Sequence, residues 1–164
     1  MPQTKQRRSL QNAVEPYPTL ATACVVQTIQ TGQALLERVQ QVCRQFGLTL
    51  STANALAIID GAAEPLSPCE IQQRLLVSGG AVTQILDALE QHGLVQRVAN
   101  PNDRRSKLIE ITPAGHALRE ESEPYLNRQD VLWMAALQPE EQIQLASMLA
   151  KVYAHLTESK SDQA

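Results

Sequence analysis

A short charged run between two apolar segments holds the residues best suited to bind a ligand. Asp103, Arg104, Arg105 and Lys107 follow the turn-forming sequence Asn-Pro-Asn at 100–102. Guanidinium groups are attracted to the negative potential of a narrow DNA minor groove. A carboxylate two residues before Arg105 can hold that side chain in a fixed orientation through charge-assisted hydrogen bonds. The run therefore predicts a local basic surface in a chain whose net charge is -3.

The segment that precedes this run predicts a helix suited to a DNA groove. Its buried stripe is expected to consist of Val82, Ile85, Leu86 and Leu89. That stripe turns Gly80 and Ala81 outward, where small residues let the backbone approach a groove floor. Thr83 and Gln84 also face outward and can bond to base edges or phosphates.

Two helix starts add free backbone donors. The run Ser67-Pro68-Cys69-Glu70 has an N-cap serine, a proline at the first helical position and a glutamate at the third, which is a capping box. Ser78 can cap the following helix. Because the first amides of a helix have no partner within it, both starts can bind phosphate. Ser67 and Ser78 are therefore candidate contacts to nucleic acid.

Two segments rich in β-branched residues, 94–99 and 107–111, flank the charged turn and predict a β-hairpin. Arg97 lies in the first strand and adds to the cluster of cations. A short capped helix, a tight turn, a second helix and a hairpin follow one another in the order of a winged helix-turn-helix. We therefore predict a mainly α fold with a small β-hairpin wing.

Amphipathic helices are predicted on the N-terminal side of this segment. Apolar residues recur at alternating steps of four and three over 25–46, and Gly47 follows where a left-handed residue commonly ends a helix. Ser51 can cap a second helix that stops at Gly61.

Two more helices are predicted on the C-terminal side. One restarts at Pro113 and is expected to run into the 120s with a disturbance near Pro124. The last opens at Pro139. It keeps one face apolar through Leu145, Leu149, Val152 and Leu156.

Composition excludes several classes of protein. Hydrophobic residues at 43% and charged residues at 19% exclude disordered and collagenous chains. The 14 basic against 17 acidic residues argue against a protein that coats nucleic acid or membrane indiscriminately. No run approaches the ~18 apolar residues of a membrane span, and the N-terminus lacks the apolar core of a signal peptide. We expect a soluble, cytoplasmic protein without a membrane partner.

Cysteine and histidine spacing predicts neither a disulfide framework nor a metal site. Cys24, Cys43 and Cys69 have no close paired spacing, and the three histidines are widely separated. Cys43 falls on the stripe of the first helix and is predicted to be a core residue. The sequence has no phosphate-binding glycine loop, nucleophile elbow or convincing carboxylate pair, so we expect neither catalysis nor a cofactor.

Two runs of the sequence resemble one family of bacterial regulators, the MarR family. NDRRSKLIEITPAG at 102–115 resembles its wing, in which Asp-x-Arg is followed by a strand and a Leu/Ile-Thr-x-x-Gly step. SGGAVTQILDALEQHGLV at 78–95 looks like its recognition helix. The Gly-Leu-Thr step at 47–49 and the helix opening at 137–141 are similar in position, so that the resemblance covers residues 19–158.

The resemblance implies a homodimer on double-stranded DNA, in which the first and last helices pack together. It assigns the minor-groove contact to Arg105, its orientation to Asp103, and contacts from the recognition helix to Thr83 and Gln84. Many relatives carry a basic residue where Gln84 and Ala88 stand. DNA affinity is therefore expected to depend more on the wing in this chain.

The resemblance also implies how the chain is organised and regulated. We expect a repressor that a small effector, often an aromatic acid or another phenolic compound in this family, releases from a pseudo-palindromic operator. Five segments are expected: a flexible N-terminal arm at 1–16, an N-terminal dimerisation helix at 17–50, a winged helix-turn-helix lobe at 51–112, C-terminal dimerisation helices at 113–158 and a disordered tail at 159–164.

Two other functions stay open on the sequence. A winged helix can serve as a protein–protein interaction module that never touches DNA. One branch of the family senses peroxide through a cysteine near the start of its first helix, where Cys24 lies. A thiol sensor needs a pKa depressed by nearby cations or hydroxyl donors. The neighbours Thr22, Ala23, Val25 and Val26 do not match the aromatic hydroxyls of that branch.

Overall fold

The computed structural model describes residues 17–75, 79–103 and 105–161. In these ranges the chain folds as four helices, a two-stranded antiparallel hairpin and two further helices, which confirms the predicted mainly α fold with a wing. The chain divides into two compact units, one that ends at Arg119 and one that begins at Glu120. The elements are α1 Leu20–Gln45, α2 Leu50–Asp60, α3 Pro68–Leu75, α4 Gly79–Gln91, β1 Val95–Ala99, β2 Lys107–Ile111, α5 Pro113–Trp133 and α6 Pro139–Ser161.

Helix α1 is amphipathic, but only part of its apolar stripe is buried. It begins after the N-cap Thr19 and ends before Gly47, whose φ of 70° is the left-handed conformation predicted there. Cys43 near its end is buried in the core, as predicted. Val25 and Ile29 near its start are 59% and 54% exposed. The first half of α1 therefore keeps an uncovered apolar face.

Helix α2 begins earlier than expected, because Thr49 rather than Ser51 is its N-cap. The Thr52 amide donates to the Thr49 hydroxyl at 3.1 Å, and the Thr49 amide donates to the Thr52 hydroxyl at 2.9 Å. A threonine thus takes the place of the glutamate that usually completes a capping box. The helix ends at Gly61, as predicted.

The core of the first unit lies among α2, α3, α4 and the hairpin. The predicted stripe of α4 is confirmed, with three residues buried and Ile85 partly buried. Burial also raises the pKa of the Cys43 thiol. The largest fully buried side chains are Leu56, Ile71, Leu86, Leu89 and Ile109.

The hairpin is anchored to the start of α3. β1 and β2 pair from Val95 with Ile111 to Ala99 with Lys107. Leu66 adds a single antiparallel bridge to Ile109, with amide-to-carbonyl distances of 3.0 and 2.7 Å. This pairing joins residues far apart in the sequence, and no local pattern predicted it.

Three predictions at the ends of the chain need correction or lie outside the described residues. Helix α5 runs past the expected end in the 120s to Trp133, and it is continuous through Pro124, where a disturbance was expected, so the loss of one amide donor at the proline does not interrupt it. Helix α6 runs to Ser161, beyond the expected start of a tail at 159. The predicted arm at 1–16 lies outside the described residues.

Thr112 and Gly115 fasten the first turn of α5 to the turn that follows α4. The Thr112 hydroxyl donates to the Gly93 carbonyl at 2.7 Å and accepts from the Gly115 amide at 3.1 Å. The Thr112 amide donates to the Leu94 carbonyl at 3.1 Å. A Cβ on Gly115 would lie 2.1 Å from the Leu94 carbonyl oxygen, so this close backbone approach requires glycine.

We predict that Gly115→Ala lowers the free energy of unfolding by about 2 to 3 kcal/mol, because backbone atoms must separate to admit the methyl group. Gly80→Ala is the matched control, since a Cβ there meets no atom within 4 Å. Urea titration of both variants measures the difference. An equally stable Gly115→Ala protein would contradict the close packing of α5 against the turn.

Candidate nucleic-acid interface

The exposed face of α4 carries most of the helix residues predicted to contact DNA. Gly80, Thr83 and Gln84 are exposed, and Ala81 is half-buried. The Thr83 hydroxyl donates to the Gly79 carbonyl at 3.3 Å, so its lone pairs stay available as acceptors. Ser78 lies outside the described residues, and its role as an N-cap stays a prediction.

The start of α3 has the predicted capping box. The Glu70 amide donates to the Ser67 hydroxyl at 3.2 Å, and the Ser67 amide donates to Glu70 Oε2 at 2.8 Å. The Ser67 hydroxyl also donates to Glu70 Oε2 at 2.7 Å, and this bond is the main reason that the pKa of Glu70 is lowered. A phosphate near Ser67 would meet this carboxylate, so the contact predicted for Ser67 has an electrostatic obstacle.

The tip of the wing is held by bonds between side chains and backbone. Asn100 Oδ1 accepts from the Asn102 amide at 2.9 Å, and Asn100 Nδ2 donates to the Ser106 hydroxyl at 2.9 Å. The Ser106 amide donates to the Asp103 carbonyl at 3.1 Å. These short polar side chains replace the ladder hydrogen bonds that end at Ala99 and Lys107.

Asp103 positions Arg105 differently from the way the sequence suggested. Its Oδ1 accepts from the Arg105 backbone amide at 2.9 Å. The expected bond to the guanidinium is replaced by this turn contact, because a carboxylate two residues upstream reaches the amide more readily than the end of the side chain. Asp103 therefore fixes the backbone from which Arg105 projects.

The described cations of the wing differ in what they contact. Arg105 and Lys107 are exposed, as a groove-binding role requires. Arg97 instead pairs with two carboxylates of α4, at 2.5 Å to Asp87 and 2.5 Å to Glu90. Arg97 is therefore removed from the free basic cluster predicted by the sequence. Arg104 lies outside the described residues.

Other candidate chemistry of the chain is limited in the described ranges. Among residues 17–75, 79–103 and 105–161 there is no group of three or more His, Cys, Asp or Glu side chains placed to hold a metal ion. The described helices include none that is long and apolar enough to cross a membrane. Cys24 and Cys69 are exposed free thiols, whereas Cys43 is buried.

Known proteins are similar to this chain in sequence and in fold. A MarR family model matches residues 46–106. The regulator PecS of Dickeya dadantii is 30% identical over 141 residues, which are 83% of this chain and 84% of PecS. The transcriptional repressor MprA of Escherichia coli is 30% identical over 130 residues, 78% of this chain and 73% of MprA.

A mutant of MarR from Escherichia coli, solved in complex with operator DNA, has a similar structure. It superposes with a TM-score of 0.72 and 26% identity over 81% of this chain and 94% of that chain. The chain thus belongs to the MarR family of winged-helix proteins. Like the relatives it matches, it is a DNA-binding transcriptional regulator and not an enzyme.

We predict that Asp103→Ala weakens binding to duplex DNA about fivefold to tenfold, since the tip would lose the bond that fixes the Arg105 backbone. Asp103→Asn is the matched control, because its amide oxygen can accept the same hydrogen bond. Fluorescence anisotropy with a duplex that the parent protein selects from a randomised pool measures both. An Asp103→Asn protein as weak as Asp103→Ala would mean that the charge, and not the turn, is what Asp103 contributes.

Proposed function

We propose that the protein is a homodimeric repressor that inserts α4 into the major groove and the wing into the adjoining minor groove of a pseudo-palindromic operator. The observation that carries this proposal is the tip of the wing, where Asn100, Asp103 and Ser106 hold the turn that presents an exposed Arg105. A tip ordered before binding loses less conformational freedom when it enters a groove.

We assign sequence discrimination and affinity to two different kinds of contact. Thr83 and Gln84 are neutral and can read base edges, which gives sequence discrimination. Arg105 and Lys107 supply charge, which gives affinity and its dependence on salt. Because α4 carries no cation, we assign the electrostatic attraction beside it to Arg105 and Lys107 of the wing.

Exposed apolar side chains support the dimer. The stripe predicted on α6 includes Leu149, Val152 and Leu156, which are all exposed in the single chain. Apolar area removed from water stabilises a complex by about 25 cal/mol per Å². A second copy that covers these residues would form the dimer, and its two α4 helices must lie about 34 Å apart to enter successive major grooves on one side of DNA.

The repressor role is supported by MprA, which is named a transcriptional repressor. The family resemblance supports release by a small aromatic or phenolic effector. An effector releases DNA when it binds more tightly to a conformation in which the two α4 helices no longer match successive grooves.

For the parent protein, we predict specific duplex binding that weakens as salt rises, by about 0.9 logarithmic units of affinity per unit of log salt for each phosphate neutralised. Arg105→Ala should raise Kd at least about tenfold and leave the dimer mass unchanged. Arg44→Ala removes an exposed cation from the last turn of α1 and is the matched control. Anisotropy titrations at several salt concentrations, with light scattering for mass, measure these quantities.

Three results would contradict this proposal. Arg105→Ala could bind as tightly as the parent, the parent could prefer no duplex, or its mass could be that of one chain. Adding a panel of aromatic carboxylic acids to the same bound duplex tests the effector. A panel that leaves Kd unchanged would remove aromatic acids from the proposal without affecting DNA binding.

We predict that Val152→Glu converts the dimer to monomer, because it places a charge in the middle of the apolar stripe of α6. The loss of paired half-sites should then weaken operator binding about a hundredfold or more. Lys151→Glu, one residue away on the same helix, changes charge outside the stripe and should leave the mass unchanged. Light scattering of both variants decides, and a dimeric Val152→Glu protein would place the interface elsewhere.

A further inference from the structure

Arg97 connects the wing to α4 through two carboxylates. It lies in β1 opposite the fully buried Ile109. Its Nη2 contacts Asp87 Oδ1 at 2.5 Å, and its Nη1 contacts Glu90 Oε2 at 2.5 Å. The hydrogen bond with Asp87 is the main cause that raises the pKa of Arg97. Each terminal nitrogen of the guanidinium therefore holds a different carboxylate of the same helix.

The position of Asp87 makes this pairing relevant to DNA. Asp87 is exposed on α4, four residues after Thr83 and three after Gln84. Residues three and four apart are neighbours on one face of a helix. A carboxylate thus lies beside the two side chains proposed to contact the major groove. Without a compensating cation, it would repel the phosphates on the rim of that groove.

Glu90 adds a second negative charge one turn of helix from Asp87. The side chains of Asp87 and Glu90 are 56% and 37% exposed, so solvent screens their charges in the free protein. DNA binding would exclude part of that water and strengthen the repulsion. Arg97 neutralises one of these two charges and holds both carboxylates toward β1.

We propose that Arg97 is a positioning residue for DNA binding, which acts through Asp87 and Glu90 and makes no contact with DNA itself. It holds the two carboxylates toward the strand and fixes the wing relative to α4. The bidentate geometry of a guanidinium suits this task, since its donors have fixed directions. This inference rests on the proposed function, which places α4 and the wing on DNA.

A double-mutant cycle tests the proposal. Arg97→Met should raise the Kd for the duplex selected by the parent about tenfold, because the carboxylates are left uncompensated. In a protein that already carries Asp87→Asn and Glu90→Gln, the same Arg97→Met change should raise Kd less than about twofold. Gln96→Met is the control on the same strand, since Gln96 is exposed and bonds Glu110 rather than α4.

A direct contact of Arg97 with phosphate gives a different result. Arg97→Met would then raise Kd by the same factor in the parent and in the protein with Asp87→Asn and Glu90→Gln. The slope of log affinity against log salt would fall by about one in each protein. That outcome overturns the inference. If Arg97→Met alone is too unstable to measure, the protein with Asp87→Asn and Glu90→Gln replaces the parent as the reference. Its two substituted side chains are neutral and need no cation, so Arg97→Met can be added to it. In that protein, a Kd for the selected duplex that rises about tenfold on adding Arg97→Met would also overturn the inference.

The parent and Arg105→Ala proteins separate this inference from the proposed function. If the parent selects a duplex and Arg105→Ala weakens it, DNA binding by the wing stands. If Arg97→Met then raises Kd equally with and without Asp87→Asn and Glu90→Gln, only the proposed role of Arg97 is refuted. If the parent selects no duplex, the proposed function fails and the inference fails with it.

Discussion

The close approach of Gly115 to the Leu94 carbonyl is the constraint on which the arrangement of α4, the wing and the start of α5 depends. At this point α4 has ended, β1 begins, and the first turn of α5 returns to the same backbone. The Thr112 hydroxyl completes the junction through Gly93 and Gly115. Because β2 leads directly into Thr112, the register of the hairpin determines where α5 starts. The end of α4, the wing and the start of α5 are therefore held together at this one junction.

The described cations near α4 and the wing differ in whether a carboxylate pairs with them. Arg97 is engaged by Asp87 and Glu90, and the start of α3 carries the Glu70 carboxylate beside Ser67. The exposed Arg105 remains on a tip that its neighbours hold in place. A net charge of -3 is thus compatible with DNA binding, because the position of the free cations matters more than their number.

The sequence predicted those features whose partners are close in the chain. The capping box of Ser67 and Glu70 and the buried stripe of α4 depend only on local spacing, and the structure has both. Asp103 was predicted to bond the side chain of Arg105 but accepts from its backbone amide. Residue types alone do not specify which of the two donors a carboxylate meets. The bridge between Leu66 and Ile109 and the pairing of Arg97 required the fold, because separated segments form them.

An apolar stripe shows that a helix face must be covered but does not identify what covers it. The stripe of α1 illustrates this, since Cys43 packs into the core of its own chain whereas Val25 and Ile29 remain exposed. Leu149, Val152 and Leu156 on α6 are exposed as well, although their spacing is equally regular. A chain that leaves such stripes uncovered in water is expected to associate, because scattered single apolar residues are common on surfaces but continuous stripes are not. The dimer proposed above would cover such stripes and complete their apolar packing.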